Sequence, residues 1–134
     1  MAPSSTDSPL TQIRQLREKR DSLAVLVALM RLIRRVLPHN YADVAATSKD
    51  LRSGQALLHL VRLLRPDKKI DINVKSNKWT NIENWKLFIH NLGEMNICCS
   101  KTEPDYTSIV NNEPFSAEMT SLLYKFMEVC DEKL

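Results

Sequence analysis

The sequence predicts an all-α domain, a bundle of four main helices with short connecting helices and loops. Apolar residues recur at three- and four-residue steps in four separate segments, which is the helical period. The chain contains only two glycines, which disfavours tight β-hairpins and glycine-rich phosphate loops. One short alternating segment, Ile70 to Val74, gives a weak strand signal. Since no second strand is available to pair with it, we expect an extended loop there.

The chain opens with a small polar segment followed by a helix-start signal. Residues 1–7 are expected to be disordered, so the domain is assigned to residues 8–134. Ser8 is predicted to be the N-cap and Pro9 the first helical residue. Three apolar residues then follow at helical spacing: Leu10, Ile13 and Leu16. The pattern leaves open whether this helix continues or breaks near Asp21.

The strongest helical pattern runs from Ser22 to Leu37 and is followed by Pro38, which cannot continue a helix. The predicted buried stripe consists of Leu23, Leu26, Val27, Met30, Ile33 and Leu37. Three further residues of this segment are also apolar: Val25, Leu29 and Leu32. Such a helix, apolar on nearly every side, is expected to be buried on several sides.

The second predicted helix runs from about Leu51 to Leu64. Its apolar stripe consists of Leu57, Leu60, Val61 and Leu64. Gly54 falls inside the predicted helix, where glycine costs about 1 kcal/mol relative to alanine. A close contact with another helix would explain a glycine at this position.

The third predicted helix begins with a capping box formed by Thr80 and Glu83. Trp79 would then precede the N-cap and pack against the helix start, with a role in recognition as the less favoured alternative. The buried stripe is predicted to contain Ile82, Trp85, Phe88, Ile89 and Leu92. Asn96 is expected to end the helix in the left-handed conformation.

The C-terminal third predicts a short helix and then a long one. The short helix is expected around Asp105 to Val110, and the long helix begins near Pro114 to Ser116. Its apolar face contains Phe115, Met119, Leu122, Leu123, Phe126 and Cys130. Cys130 is therefore interpreted as a small core residue.

The sequence carries no pattern typical of an enzyme, a metal site or a cofactor site. Cys98 and Cys99 are adjacent, and the three histidines lack ligand spacing, so no metal is predicted. No phosphate loop, dinucleotide fingerprint or nucleophile elbow occurs. No apolar run reaches the ~18 residues needed to span a bilayer, so direct membrane insertion is not expected. The odd cysteine number favours a cytoplasmic protein over a disulfide framework.

Charge is distributed unevenly along the chain. Between Arg31 and Lys86 there are 12 Lys/Arg and 5 Asp/Glu, whereas residues 87–134 contain 3 and 8. The predicted partner-binding residues form a basic patch: Arg62, Arg65, Lys68, Lys69, Lys75, Lys78 and Lys86. Such a patch suits an acidic partner, although a solvated loop is the alternative. Nucleic acid is disfavoured because no basic helix presents a pattern suited to base edges.

Several short motifs, in order, resemble a known family. Asp50-Leu51-x-Ser53-Gly54, followed by an apolar helix and Arg65-Pro66, is similar to the central helix of calponin-homology domains. Asn84-Trp85-Lys86-Leu87, with Asn91-Leu92 after it, resembles the N-terminal domain of the Hook family, and the related Girdin group shares this pattern. The later matching segments are Pro104-Asp105, Ile109, Ala117-Glu118, Leu122-Leu123, Cys130 and Glu132-Lys133. The resemblance spans about Asp21 to Lys133.

The resemblance implies a binding module and not an enzyme. Hook-like proteins are adaptors that link cargo, an organelle, or a nuclear or centrosomal structure to microtubules and dynein. The expected partners are therefore microtubules or the dynein light intermediate chain, with self-association through a coiled coil outside this chain. Contact with dynein relies largely on helices after the core, which would begin near Leu134. The expected location is the microtubule cytoskeleton, including the centrosome, nuclear envelope or endomembranes. The alternatives are an actin-binding or signalling calponin-homology domain, or a dimerisation module without filament affinity.

Overall fold

A computed structural model describes residues 8–37, 51–75, 77–97, 103–111 and 113–134. Within these ranges the chain forms helices and no strand, which confirms the all-α prediction. The helices are α1 (Pro9–Val36), α2 (Gln55–Leu64), α3 (Lys78–Glu94), α4 (Tyr106–Val110) and α5 (Ala117–Lys133). None of these helices is both long and apolar enough to cross a membrane. The predictions for residues 1–7, Pro38, Cys98 and Cys99 lie outside the described residues.

Helix α1 is continuous, so the break considered near Asp21 does not occur. Ser8 caps it as predicted, since its Oγ accepts from the Thr11 amide at 3.1 Å. The buried face consists of Ser22, Val25, Leu26, Leu29, Leu32 and Ile33. The predicted stripe was wrong for Leu23 and Val27, which are 56% and 46% exposed. Apolar residues lie on two faces of this helix, and periodicity does not say which face meets α5 and α2.

Helix α2 begins at Gln55, four residues later than predicted, and Gly54 is its N-cap with φ of +77°. The prediction of a glycine inside the helix was therefore wrong. The predicted close contact is confirmed, because a Cβ at Gly54 would lie 2.9 Å from Asn84 Cβ and 3.3 Å from Trp85 Cδ1. Both the left-handed backbone and the space limit explain this glycine.

The N-cap of helix α3 lies three residues before the predicted one. Asn77 is the N-cap, and its Oδ1 accepts from the Thr80 amide at 3.0 Å while Thr80 Oγ1 accepts from the Asn77 amide at 3.2 Å. The predicted capping box was wrong in register, because Thr80 serves as its third helical residue. Trp79 consequently lies in the first turn and is 74% exposed. Asn96 adopts φ of +62° after the helix, as predicted.

The core contains an aromatic cluster that joins α3 to α5. Trp85 and Phe88 pack edge to face with centroids 5.6 Å apart, and Phe88 meets Phe126 in the same way at 5.0 Å. Phe115, just before α5, lies 6.0 Å from Trp85. Its amide donates to Ser22 Oγ of α1 at 2.9 Å. The predicted buried positions of the third and last helices are confirmed for these aromatic residues.

Two buried groups, the Arg52 guanidinium and the Cys130 thiol, have shifted pKa values. Arg52 is 3% exposed and donates from Nη1 to the Ile109 carbonyl at 3.0 Å, while its guanidinium lies 4.0 Å from the Phe115 ring centroid. Burial lowers the pKa of Arg52 to about 10. Cys130 is fully buried, as predicted, and burial raises the pKa of its thiol to about 12. The thiol is therefore protonated at neutral pH and is a weak nucleophile.

Candidate functional site

The segment between α2 and α3, residues 65–75, is called the basic loop here, and a buried asparagine attaches it to the core. Asn84 is fully buried on α3. Its Nδ2 donates to the Ser53 and Asn73 carbonyls, each at 3.0 Å, and its Oδ1 accepts from the Asn73 amide at 3.0 Å. A single side chain thus fixes the middle of the basic loop to α3 and to the start of α2.

A second anchor comes from the end of α2. Arg62 donates to the Ile70 carbonyl from Nε at 3.1 Å and from Nη2 at 2.7 Å. The Ile70 side chain is 3% exposed and belongs to the core. The guanidinium of Arg62, predicted as a partner-binding group, therefore holds the basic loop in place.

The third anchor is a charged cluster at the C-terminal end of α3. Arg65 Nη1 donates to Asn91 Oδ1 at 2.6 Å and to Glu94 Oε1 at 2.9 Å. Lys68 Nζ lies 3.3 Å from the same carboxylate oxygen, and His90 Nε2 lies 3.6 Å from it. Hydrogen bonds from Arg65 and then Lys68 hold the pKa of Glu94 below its ordinary value. Glu94 thus offsets part of the charge that Arg65 and Lys68 would present to a partner.

The cations that remain available lie farther along the loop. Lys69, Lys75 and Lys78 are exposed and form no ion pair with any residue that the structure describes. Lys78 Nζ lies 6.0 Å from the ring centroid of the exposed Trp79, and Val74 is 78% exposed nearby in sequence.

The end of the basic loop lies beside the first turn of α3. Thr80 Oγ1 donates to the Lys75 carbonyl, which keeps the end of the basic loop against that turn. We name the Trp79 surface by its members: Val74, Lys75, Lys78 and Trp79. Exposed aromatic and aliphatic side chains are typical of protein-binding surfaces, and the lysines beside them add positive charge that suits an acidic partner.

Lys86 does not belong to this surface. It lies seven residues beyond Trp79, which places it about two turns, or roughly 10 Å, farther along α3. Its Nζ lies 5.8 Å from the Tyr106 ring of α4. The seven predicted cations therefore do not form one patch: some anchor the loop, some are exposed on it, and Lys86 lies elsewhere.

Sequence reasoning missed the main anchors and the apolar part of the surface. Asn84 and Asn91 are seven residues apart on the buried face of α3, and polar side chains at this spacing on an apolar face are a recognisable signal of buried anchoring. Trp79 was misplaced because the N-cap was assigned to Thr80. Assigning the cap to Asn77 would have placed Trp79 in an exposed first turn.

The fold is a small helical bundle whose candidate site is a charged surface, and such a surface suits a binding module. A family model described as Calponin homology (CH) domain matches residues 28–132. The chain belongs to this family. No curated protein and no solved structure matches the chain. Calponin homology domains are non-enzymatic binding modules, and the family suggests cytoskeleton-related binding, to actin or to microtubules.

Proposed function

We propose that this domain is a non-enzymatic cytoskeletal adaptor of Hook type that attaches cargo, an organelle, or a nuclear or centrosomal structure to microtubules and dynein. The membership in the calponin homology family supports the cytoskeletal part of this proposal. The motif resemblance around Asn84-Trp85 supports the choice of microtubules. The single observation that carries the site is the Trp79 surface on an anchored loop.

Rigid presentation of charge favours binding to an acidic filament. Arg62 and Asn84 hold the backbone of the basic loop at Ile70 and Asn73, so binding through Lys75 does not require a large cost for ordering the loop. The cations attract the acidic tubulin surface over a Debye length of about 8 Å at physiological salt. Trp79 and Val74 then supply apolar area that is removed from water on contact.

Co-sedimentation with microtubules at low and high salt tests this proposal. We expect the domain to pellet with microtubules at low salt and to be released as salt rises. The double variant Lys75→Glu with Lys78→Glu should bind at least about tenfold more weakly. Trp79→Ala should also weaken binding while keeping its salt dependence, because it removes apolar contact and not charge.

Lys125→Glu on α5 is the matched control, since this exposed lysine lies outside the basic loop. It should leave binding within about twofold. Sedimentation of actin filaments with the same proteins distinguishes the actin-binding alternative. If the domain binds actin and not microtubules, or if the loop variants bind microtubules as the parent does, the proposal is wrong.

A further inference from the structure

Helix α1 carries a second apolar face that no described element covers. Its buried face begins only at Ser22, so the first half of the helix extends beyond the core. The exposed apolar side chains, with their exposed fractions, are Leu10 (76%), Ile13 (52%), Leu16 (69%), Leu23 (56%) and Val27 (46%). From Ile13 to Val27 this face is about 21 Å long. All of it precedes residue 28, where the match to the family begins.

The spacing on this face is that of a coiled-coil seam. Ile13, Leu16, Arg20, Leu23 and Val27 follow one another at alternating steps of three and four, the heptad a and d positions. We call these five residues the α1 seam. A 3.5-residue period keeps such a stripe against one partner helix when the two helices supercoil around each other. The core face of the same helix uses a different set of residues.

The charges around the α1 seam are mainly positive. Arg20 occupies its centre, and the exposed Arg17 and Lys19 lie on its two edges. The acidic residues Glu18 and Asp21 lie toward the other side of the helix at 100° per residue, although Asp21 approaches Arg20 Nε at 3.5 Å. A partner that covers the seam must therefore supply negative charge at its centre and its edges.

This charge pattern selects among possible occupants. A second copy paired in parallel would place each Arg20 opposite its counterpart. In an antiparallel pair, where a positions face d positions, each Arg20 would face Leu16 or Leu23 of the other copy and would gain no acidic partner. Like charges directly opposed across a seam are unfavourable, so a second copy is a poor occupant.

We infer that the α1 seam docks an acidic amphipathic helix, with apolar residues at its own a and d positions, an acidic residue facing Arg20 and acidic residues on both flanks. This helix-in-groove contact uses a different element from the basic loop and does not depend on the microtubule proposal. It gives the domain a second partner site, suited to a helical segment of another protein.

A synthetic helix tests this inference by fluorescence anisotropy with the whole chain. The probe is a labelled three-heptad peptide with Leu at a and d, Glu at its central a position, and Glu at e and g. The control peptide has Lys in place of every Glu. We expect the acidic probe to bind at least about tenfold more tightly than the control peptide, with affinity falling as salt rises.

Variants of neighbouring residues locate the contact. Leu16→Glu should weaken probe binding at least about tenfold, whereas Gln15→Glu, with the same charge change one residue away and off the seam, should change it less than twofold. Arg20→Glu should weaken binding of the acidic probe, and a probe with Lys at its central a position should restore it. Circular dichroism confirms that these exposed substitutions leave the fold intact.

Three results would overturn the inference. If the acidic and basic peptides bind equally well, or if neither peptide binds, charge-selected docking is ruled out. A concentration-dependent dimer in sedimentation that Leu16→Glu dissociates would make a second copy the occupant. Binding to anionic vesicles that Leu16→Glu abolishes, without binding of the acidic probe, would make a lipid surface the occupant.

Discussion

Replacing Gly54 by alanine is the sharpest test of how α2 meets α3. Two costs add at this position. At φ of +77° an alanine pays roughly 1–2 kcal/mol for the left-handed backbone. Its Cβ would also lie 2.9 Å from Asn84 Cβ, and relieving such overpacking costs roughly 1–3 kcal/mol. The expected loss in the free energy of unfolding is therefore about 3 kcal/mol.

The loss is large compared with the total stability of a domain, about 5–15 kcal/mol. Movement of the helices to accommodate the Cβ would also strain the bond from Trp85 Nε1 to the Arg52 carbonyl, now 3.0 Å long. Urea unfolding, followed by circular dichroism and tryptophan fluorescence, measures the change. For a chain of this size, 3 kcal/mol corresponds to a fall in Tm of roughly 10 °C.

Gly93→Ala is the matched control, because it is the same substitution inside α3 with no atom within 4 Å of the new Cβ. It should stabilise the protein by about 0.5–1 kcal/mol through helix propensity. If Gly54→Ala loses less than about 1 kcal/mol, or if both variants change stability equally, the tight contact between α2 and α3 is not as described.

Three further predictions concern the anchors and the buried thiol. Asn84→Ala removes the bonds to the basic loop and should cost about 2–4 kcal/mol of unfolding free energy, with faster hydrogen exchange at the Asn73 amide measured by NMR. The pKa of Cys130 is about 12 in the folded state and near 9 in the unfolded state. The contribution of the buried thiol to the free energy of unfolding is therefore constant below pH 9. Above pH 9 it falls by up to ~1.4 kcal/mol per pH unit, because the unfolded state loses the proton first. Urea titrations between pH 8 and 10.5 should show this slope in the parent and a flatter one in Cys130→Ala; equal slopes would contradict a buried thiol. Glu94→Gln removes the carboxylate that offsets the charge of Lys68 and should strengthen microtubule binding roughly two- to threefold. Since the pKa of Glu94 is lowered in the folded state, the stabilising effect of this carboxylate is lost as pH falls below its ordinary pKa. The unfolding midpoint of the variant should therefore change less between pH 6 and 3 than that of the parent protein. Unchanged or weaker filament binding by Glu94→Gln would count against the electrostatic account.

The helical class could be predicted because short-range periodicity dominates it. The last helix shows this best: every residue assigned to its apolar face is buried, from Phe115 to Cys130, since that helix has only one apolar face. Helix α1 has two, so the same rule placed Leu23 and Val27 in the core. Which of the two faces is buried depends on tertiary packing against the other helices. The periodicity within α1 itself does not indicate it.

The candidate site was predictable in composition but not in arrangement. The basic content near the loop is a property of the sequence, whereas the roles of Arg62 and Arg65 depend on which carbonyl or carboxylate the fold brings within reach. Whether a long cationic side chain anchors a loop or remains exposed depends on residues that are distant in sequence. Arg65, for example, donates to Asn91, which is 26 residues away. The register of α3 was missed because Asn77 and Thr80 are both good caps.

The most direct test of the central claim compares two lysines on the same helix. Lys78→Glu changes the Trp79 surface, whereas Lys86→Glu makes the same charge change about 12 Å farther along α3, where Lys86 lies beside Tyr106 of α4. In microtubule co-sedimentation at low salt, the account predicts that Lys78→Glu weakens binding several-fold more than Lys86→Glu does. Equal losses would show that net charge alone drives binding, and a larger loss for Lys86→Glu would place the contact beside α4, away from the Trp79 surface.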